Sequence, residues 1–233
     1  MKSNPLHTYR CECKMRILDL FCGAGGAAMG LHRAFPEAEI TGVDIKPQKN
    51  YPFTFIQADA LEFPLEGYDF IWASPPCQAY VDHNRNKESN HPRLIEPIRK
   101  KLIRMCSFYI IENVELAPLF VSLKLCGTMF GLRVIRHRIF ECNFPMPLVA
   151  SCNHWGEVAD GDFIGVYAMG GKGHRRGKGI RDPHPLEIKI SPQEAMGIDW
   201  MTKQELTQAV PPAYSEFIGR QLRMQMERKR AAI

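Results

Sequence analysis

Alternation of strand-like and helix-like segments predicts an α/β fold, a mostly parallel sheet with helices on both faces. Three observations predict it. Short apolar runs recur through the first half of the chain, a glycine-rich turn follows the first run, and acidic residues close the next two. At 233 residues, one α/β domain with a modest insertion fits better than two full domains.

Arg16 to Leu20 (RILDL) is a short apolar run entering the glycine turn, so it reads as a buried strand. Gly26 to Phe35 suits a helix stopped before Pro36. Glu39 to Val43 is the second strand, with Asp44 at its end; Phe53 to Gln57 is the third and Tyr68 to Ala73 the fourth. Arg93 to Met105 reads as a helix and Phe108 to Glu112 as the fifth strand. Gly131 to Val134 and His137 to Cys142 are close enough to pair as a hairpin, giving the sheet an antiparallel edge. Pro145 to Pro185 is rich in Gly and Pro and contains GGKGHRRGKG, whereas regular character returns at Ser191 and ends in a basic helix, Ser215 to Arg230. These shifts divide the chain into a discontinuous main domain, residues 15–146 plus 186–233, and a short inserted region, residues 147–185.

A hydrophobic fraction of 45 % with 24 % charged residues supports a packed core and argues against global disorder. The net charge of +5 and a pI near 8.8 are compatible with a polyanionic partner. No apolar run approaches the roughly 20 residues that span a bilayer, and residues 1–14 lack the apolar middle of a signal peptide. A cytoplasmic protein with reduced thiols is therefore expected. The eight cysteines are scattered and form no CxxC pair. Two groups are conceivable as metal ligands, Cys11 and Cys13 near His7, and Cys142, Cys152 and His154. Neither has the usual spacing of a zinc site, so no metal site is expected.

Four motifs carry chemistry. Asp19-Leu-Phe-Cys-Gly-Ala-Gly-Gly26 lets the backbone approach a ligand closely after the first strand. Asp44 is positioned to accept hydrogen bonds from ribose hydroxyls, and Asp59, after the third strand, could meet an adenine amino group; together they suggest an adenosine-containing cofactor. A structural glycine turn with two surface acids accounts for the same residues equally well. Ser74-Pro75-Pro76-Cys77-Gln78 holds a cysteine rigidly past the fourth strand, and a thiol there needs activation to act as a nucleophile. Glu112-Asn113-Val114 points a carboxyl into the same crevice. Arg136-His137-Arg138, read as strand, puts both arginines on one face. A structural ion pair between Glu112 and these arginines is the plainer alternative.

The order DLFCGAGG, VDI, ADA, PPCQ, ENV, RHR, SPQEAMGI and QAVPP, running from about Arg16 onward, resembles the bacterial and phage cytosine-5 DNA methyltransferases. The resemblance implies a Rossmann-like S-adenosylmethionine-dependent methyltransferase sheet with a small, loop-rich target-recognition insertion. It implies a cofactor site of Asp19, Phe21, Gly23, Gly25, Gly26, Asp44, Ile45, Asp59, Pro76, Gln208 and Val210, and a catalytic set of Cys77, Glu112, Arg136 and Arg138. In that family the cysteine adds to carbon 6 of a flipped cytosine. Glu112 would then hydrogen-bond the ring at N3 and the exocyclic amine, and Arg138 the carbonyl oxygen at carbon 2. Double-stranded DNA is the implied partner, met by Gln78, Arg85, Lys87 and Arg93 on a mobile loop, with Lys172, Arg175, Arg176 and Lys178 in the recognition region. No membrane and no obligate protein partner is implied. Thr207 and Gln208 depart from the family, standing where it has Gly-Asn. An RNA cytosine-5 methyltransferase of the same architecture, a non-catalytic DNA-binding relic and a free-nucleotide enzyme are the alternatives, although the Cys-Phe-Thr signature of the tRNA branch does not occur in the chain.

Overall fold

In the computed structural model, residues 14–81, 91–105, 107–154, 163–166 and 190–231 are described. Ile17, Leu18 and Leu20 are fully buried on both faces of β1 (Arg16–Leu20), as a central parallel strand requires. The other strands are β2 (Glu39–Asp44), β3 (Thr54–Gln57), β4 (Phe70–Ala73), β5 (Phe108–Asn113), β6 (Leu123–Leu125) and β7 (Arg138–Cys142). They form one seven-stranded sheet in the order β3-β2-β1-β4-β5-β7-β6. β1 to β5 are parallel, and β7 runs antiparallel to both its neighbours. The register brings Leu20 beside Val43 and Ala73, and Glu112 beside Phe140. The chain leaves β1 for one side of the sheet and returns to the other at β4. Ligands of such sheets bind outside the strand carboxyl ends at this reversal.

Alternation along β1 assigns the two faces. Ile17 packs with α1 (Gly26–Ala34) and α5 (Pro212–Ala231) through Leu31, Tyr214, Ile218 and Leu222. Leu18 and Leu20 pack with Val43, Ile71 and Ile111 against Ile98 and Leu102 of α2 (Ile95–Ile103). α1 and α5 approach closely because Gly30 has no side chain: a Cβ there would lie 2.0 Å from the Pro212 carbonyl oxygen and 2.1 Å from Ser215 Oγ. α2 is tied to the sheet by a buried cation. Arg99 donates to Glu141 of β7 through Nε at 2.9 Å and Nη2 at 2.8 Å, and to the Pro118 carbonyl. Two short helices, α3 (Pro192–Met196) and α4 (Lys203–Leu206), each open on a capping box, Ser191 with Glu194 and Thr202 with Glu205.

The five parallel strands and the long helices match the sequence reading to within three residues at their starts and ends. The expected hairpin does not. β7 pairs with β6 and β5, while Gly131 to Val134 forms no strand and follows a 3-10 turn at Gly127–Phe130. β6 escaped notice because three residues carry too little periodicity. Of the inserted region, only residues 147–154 and 163–166 are described, so its expected limits fall mostly outside the described residues. The same holds for residues 1–13, including His7, Cys11 and Cys13. Among the described residues, no helix is long and apolar enough to cross a membrane.

Candidate active site

β4 ends at Ala73, and the next turn is fixed from three directions. Ser74 N–H donates to the Leu20 carbonyl at 3.1 Å, Trp72 Nε1 to Ser74 Oγ at 2.8 Å, and Asn113 Nδ2 to the Pro75 carbonyl at 2.7 Å. Pro75 and Pro76 add their fixed φ. Cys77 is thereby held half-buried with a free thiol, and its carbonyl accepts from Tyr80 N–H at 2.8 Å. Burial pushes the thiol up from its ordinary value; Arg138 opposes this, Glu112 adds to it and Arg136 opposes it. At rest Cys77 is a protonated thiol.

Cys77, Arg136 and Arg138 line one cleft of about 630 Å³. Glu112, in β5, is buried next to Arg138, whose Nε lies 2.8 Å from Glu112 Oε1. The contact is an ion pair without hydrogen-bond alignment, so Oε1 keeps its acceptor capacity. Burial raises the Glu112 carboxyl, against the lowering effects of Arg138, Ser74 and Arg136. A carboxyl in that state holds a proton at higher pH than a solvated one and can donate it. Arg136 precedes β7 rather than lying within it, so strand alternation does not put it on one face with Arg138. It acts as a strut: Nη1 donates to the Val166 carbonyl at 3.1 Å and Nη2 to the Thr207 carbonyl at 2.8 Å, while its own carbonyl accepts from Tyr214 Oη at 2.6 Å.

The glycine loop follows β1 at the same carboxyl edge of the sheet. Phe21 has a φ of +57° and Gly23 of +49°, and among the described residues nothing lies within 4 Å of the point where a Gly23 Cβ would sit. Gly23 therefore offers bare backbone to a ligand, and Gly25, with φ +83°, starts α1. Gly26 packs beneath the carbonyl of buried Val210. Asp44 accepts from Gly23 N–H at 3.1 Å and from Lys46 N–H at 2.9 Å, one on each carboxylate oxygen, which leaves further lone pairs for hydroxyl donors. Ile45 is 65 % exposed beside it, an apolar surface on which a planar ring can rest. Asp59 is exposed and accepts from Leu61 N–H at 2.8 Å. Asp19 is buried; Oδ2 accepts from Tyr51 Oη at 3.4 Å, and Oδ1 has no partner among the described residues. Burial drives this carboxyl well above the usual range, against the lowering effect of Tyr51. An orphaned buried acceptor, an open glycine backbone and a ribose-height carboxylate fit an adenosine-containing amino acid such as S-adenosylmethionine. Gln208 is exposed at the rim, and Pro76 is half-buried beside Cys77.

Comparison with known proteins bears on this arrangement. No protein-family model matches the chain. The solved structure of the Entamoeba histolytica methyltransferase EhMeth superposes with a TM-score of 0.56 at 16 % identity, covering 88 % of this chain and 96 % of that one. The fold is a Rossmann-like methyltransferase fold. In sequence, the chain is 36 % identical over 75 residues to trans-aconitate 2-methyltransferase of Yersinia pestis (strain Pestoides F), 29 % of each chain. It is 25 % identical over 119 residues to the human tRNA (cytosine(38)-C(5))-methyltransferase, covering 43 % of this chain and 30 % of that protein. The matches thus span less than a third of these curated relatives, and they establish methyltransferase homology over part of the chain.

Three residues of the site were not assigned a role from the sequence. Asn113 locks the Pro-Pro turn, Tyr51 holds Asp19, and Trp200 donates from Nε1 to the Ala24 carbonyl at 2.8 Å, fastening the region after α3 onto the glycine loop. Of the residues expected to meet DNA, Arg93 is exposed with its guanidinium 5.6 Å from the Tyr80 ring centroid, and Gln78 is half-buried beside Cys77. Arg85, Lys87, Lys172, Arg175, Arg176 and Lys178 lie outside the described residues. The structure also gathers Cys126, His137, Cys152 and His154 beside the cleft, leaving Cys142 in β7 apart from them.

Proposed function

We propose that this chain is a DNA cytosine-5 methyltransferase. The observation that carries the reading is the convergence of a rigidly held free thiol, Cys77, with the buried Glu112–Arg138 pair at the strand carboxyl ends. Cytosine carbon 5 is a poor nucleophile, and addition of a thiolate to carbon 6 makes it enamine-like. Cys77 gives its proton to solvent while Arg138 offsets the growing thiolate charge, and its sulfur forms that bond. Burial raises the Glu112 carboxyl, which favours a shared proton with ring N3, and the carboxyl accepts from the exocyclic amine. Arg138 holds the carbonyl oxygen at carbon 2, exchanging its resting contact with Glu112 for the base. Asp19, Gly23, Asp44 and Ile45 would hold S-adenosylmethionine, which would supply the electrophilic methyl group for carbon 5. Loss of the carbon 5 proton to solvent and breakage of the sulfur–carbon bond release Cys77 as a thiolate, which takes a proton back from solvent. A stacked duplex hides carbon 6, so the base is flipped into the 630 Å³ cleft.

The test is a 5-fluorocytosine duplex with S-adenosylmethionine, since fluorine blocks the final elimination. The parent gives a denaturation-resistant protein–DNA adduct, and Cys77→Ser gives none. A fully active Cys77→Ser protein overturns the mechanism. The similarity to a tRNA (cytosine(38)-C(5))-methyltransferase favours a second reading, with RNA as substrate. Methylation assayed side by side on duplex DNA and tRNA separates the two. Glu112→Gln should lower turnover on the true substrate by about 100-fold or more with cofactor affinity nearly unchanged.

A further inference from the structure

Four ligand-type side chains from three separate segments meet at the edge of the sheet. Cys126 follows β6, His137 precedes β7, and Cys152 and His154 stand where the inserted region begins. Their ligand atoms all lie within 4.8 Å of one another. Cys126 Sγ is 3.4 Å from His154 Nε2, and Cys152 Sγ is 3.2 Å from His137 Nε2. Around a tetrahedral zinc, with bonds of about 2.3 Å to sulfur and about 2.0–2.1 Å to nitrogen, sulfur–nitrogen edges come to about 3.5 Å. Both observed edges are within a few tenths of an ångström of that value.

A second observation concerns the outer partner of a ligand. With Nε2 of His137 turned to Cys152, Nδ1 lies 3.1 Å from Glu115 Oε2, and Glu115 is steadied by Lys124 at 3.1 Å. A carboxylate behind the far nitrogen of a ligating histidine fixes its tautomer and ring orientation, a recurring feature of zinc sites. Thr128 Oγ1, 3.5 Å from Cys126 Sγ, is placed to donate to that thiolate.

We propose that Cys126, His137, Cys152 and His154 bind one structural Zn²⁺ ion. Two thiolates and two neutral imidazoles neutralise the divalent ion, and binding releases the two thiol protons to solvent. Two sulfur and two nitrogen donors in a closed tetrahedron select zinc over magnesium or calcium, and four protein ligands leave no open position for catalysis. The position gives the ion its purpose. His137 stands between Arg136 and Arg138, so a metal on its ring fixes the backbone that aims both guanidinium groups. Cys152 and His154 fasten the start of the inserted region to the same point. The site does not depend on the identity of the methylated substrate.

The test reads metal rather than methylation. The 233-residue chain, prepared with zinc and freed of excess metal by gel filtration, should carry about one zinc per chain by mass spectrometry of the metal. Replacement by Co²⁺ should give thiolate-to-cobalt charge transfer and the intense visible bands of a tetrahedral ion. Cys152→Ser and His154→Ala, changed in a segment outside the sheet, should lose the metal while keeping the parent's circular dichroism, and Cys142→Ser should keep it. Glu115→Gln should weaken zinc about 10–100-fold. Reduced parent protein that takes up no zinc, a Cys126→Ser/Cys152→Ser double variant that retains it, or cobalt spectra without thiolate bands would overturn the proposal.

Discussion

Cys77 rests as a thiol because burial outweighs the two nearby arginines. Iodoacetamide should therefore label it slowly near neutrality and faster as pH rises, by peptide mass spectrometry. Arg138→Gln removes a charge that favours the thiolate and should slow labelling further at any given pH; faster labelling would contradict the role given to Arg138. Glu112 has the opposite requirement, since its raised carboxyl donates only below its own pKa. A bell-shaped kcat/KM profile is expected, its acid limb breaking where Glu112 titrates and its alkaline limb where Cys77 titrates, with the minority form that holds a Cys77 thiolate beside a protonated Glu112 as the reactive one. Asp19 gives a stability prediction. Its folded pKa is raised above the unfolded value of about 3.9, so its contribution is full below that value and declines as pH rises toward the folded pKa. Asp19→Asn keeps the acceptor for Tyr51 and removes the charge. It should raise Tm, increasingly so between about pH 4 and neutrality, and weaken S-adenosylmethionine binding measured by calorimetry. Cys77, Glu112 and Arg138 were legible in the sequence because each sits in a short motif at a strand end. Of the cluster at Cys126, His137, Cys152 and His154, the sequence grouped only Cys152 and His154, with Cys142 beside them, since its members are spread over three segments that only folding brings together.

Strands buried on both faces announce themselves as unbroken apolar runs, which is why β1, β4 and β5 were readable while three-residue β6 was not. Strand alternation does not reach Arg136, which lies two residues before β7 in backbone that Tyr214 holds, although it lines the same cleft as Arg138. The contact of α1 with α5 was hidden for another reason, as no local pattern says which distant helix a glycine must admit. Gly30→Ala puts a methyl into the backbone of α5, against the Pro212 carbonyl and Glu216 nitrogen. Overpacking of this kind costs about 1–3 kcal/mol, and urea unfolding should report a lower midpoint with little change in slope. An unchanged midpoint would mean that the helices can separate at no cost.

At the scale of the whole molecule, the proposed function asks for a reader of DNA sequence outside the sheet. The basic run holding Lys172, Arg175, Arg176 and Lys178 is proposed to read the DNA sequence. Arg175→Ala and Arg176→Ala, measured on specific and scrambled duplexes over a salt series, separate two modes. A lost base contact relaxes preference at one position by roughly 1–3 kcal/mol. A lost phosphate contact weakens every duplex and lowers the salt slope by about one per charge. Mutants indistinguishable from the parent on all duplexes would remove this run from the interface. The interlock of α1 with α5 also dictates an order of events during synthesis. Leu31 and Ala34 emerge from the ribosome early, yet the Ile218, Leu222 and Gly219 surfaces that cover them are made after the sheet, the cleft and the inserted region. Until then the nascent chain carries a finished strand core with one helical face bare, a surface that invites chaperones or a second nascent chain. Ribosome-stalled chains ending before Pro212 should bind a hydrophobic dye that chains extended beyond Ala231 and the exit tunnel do not.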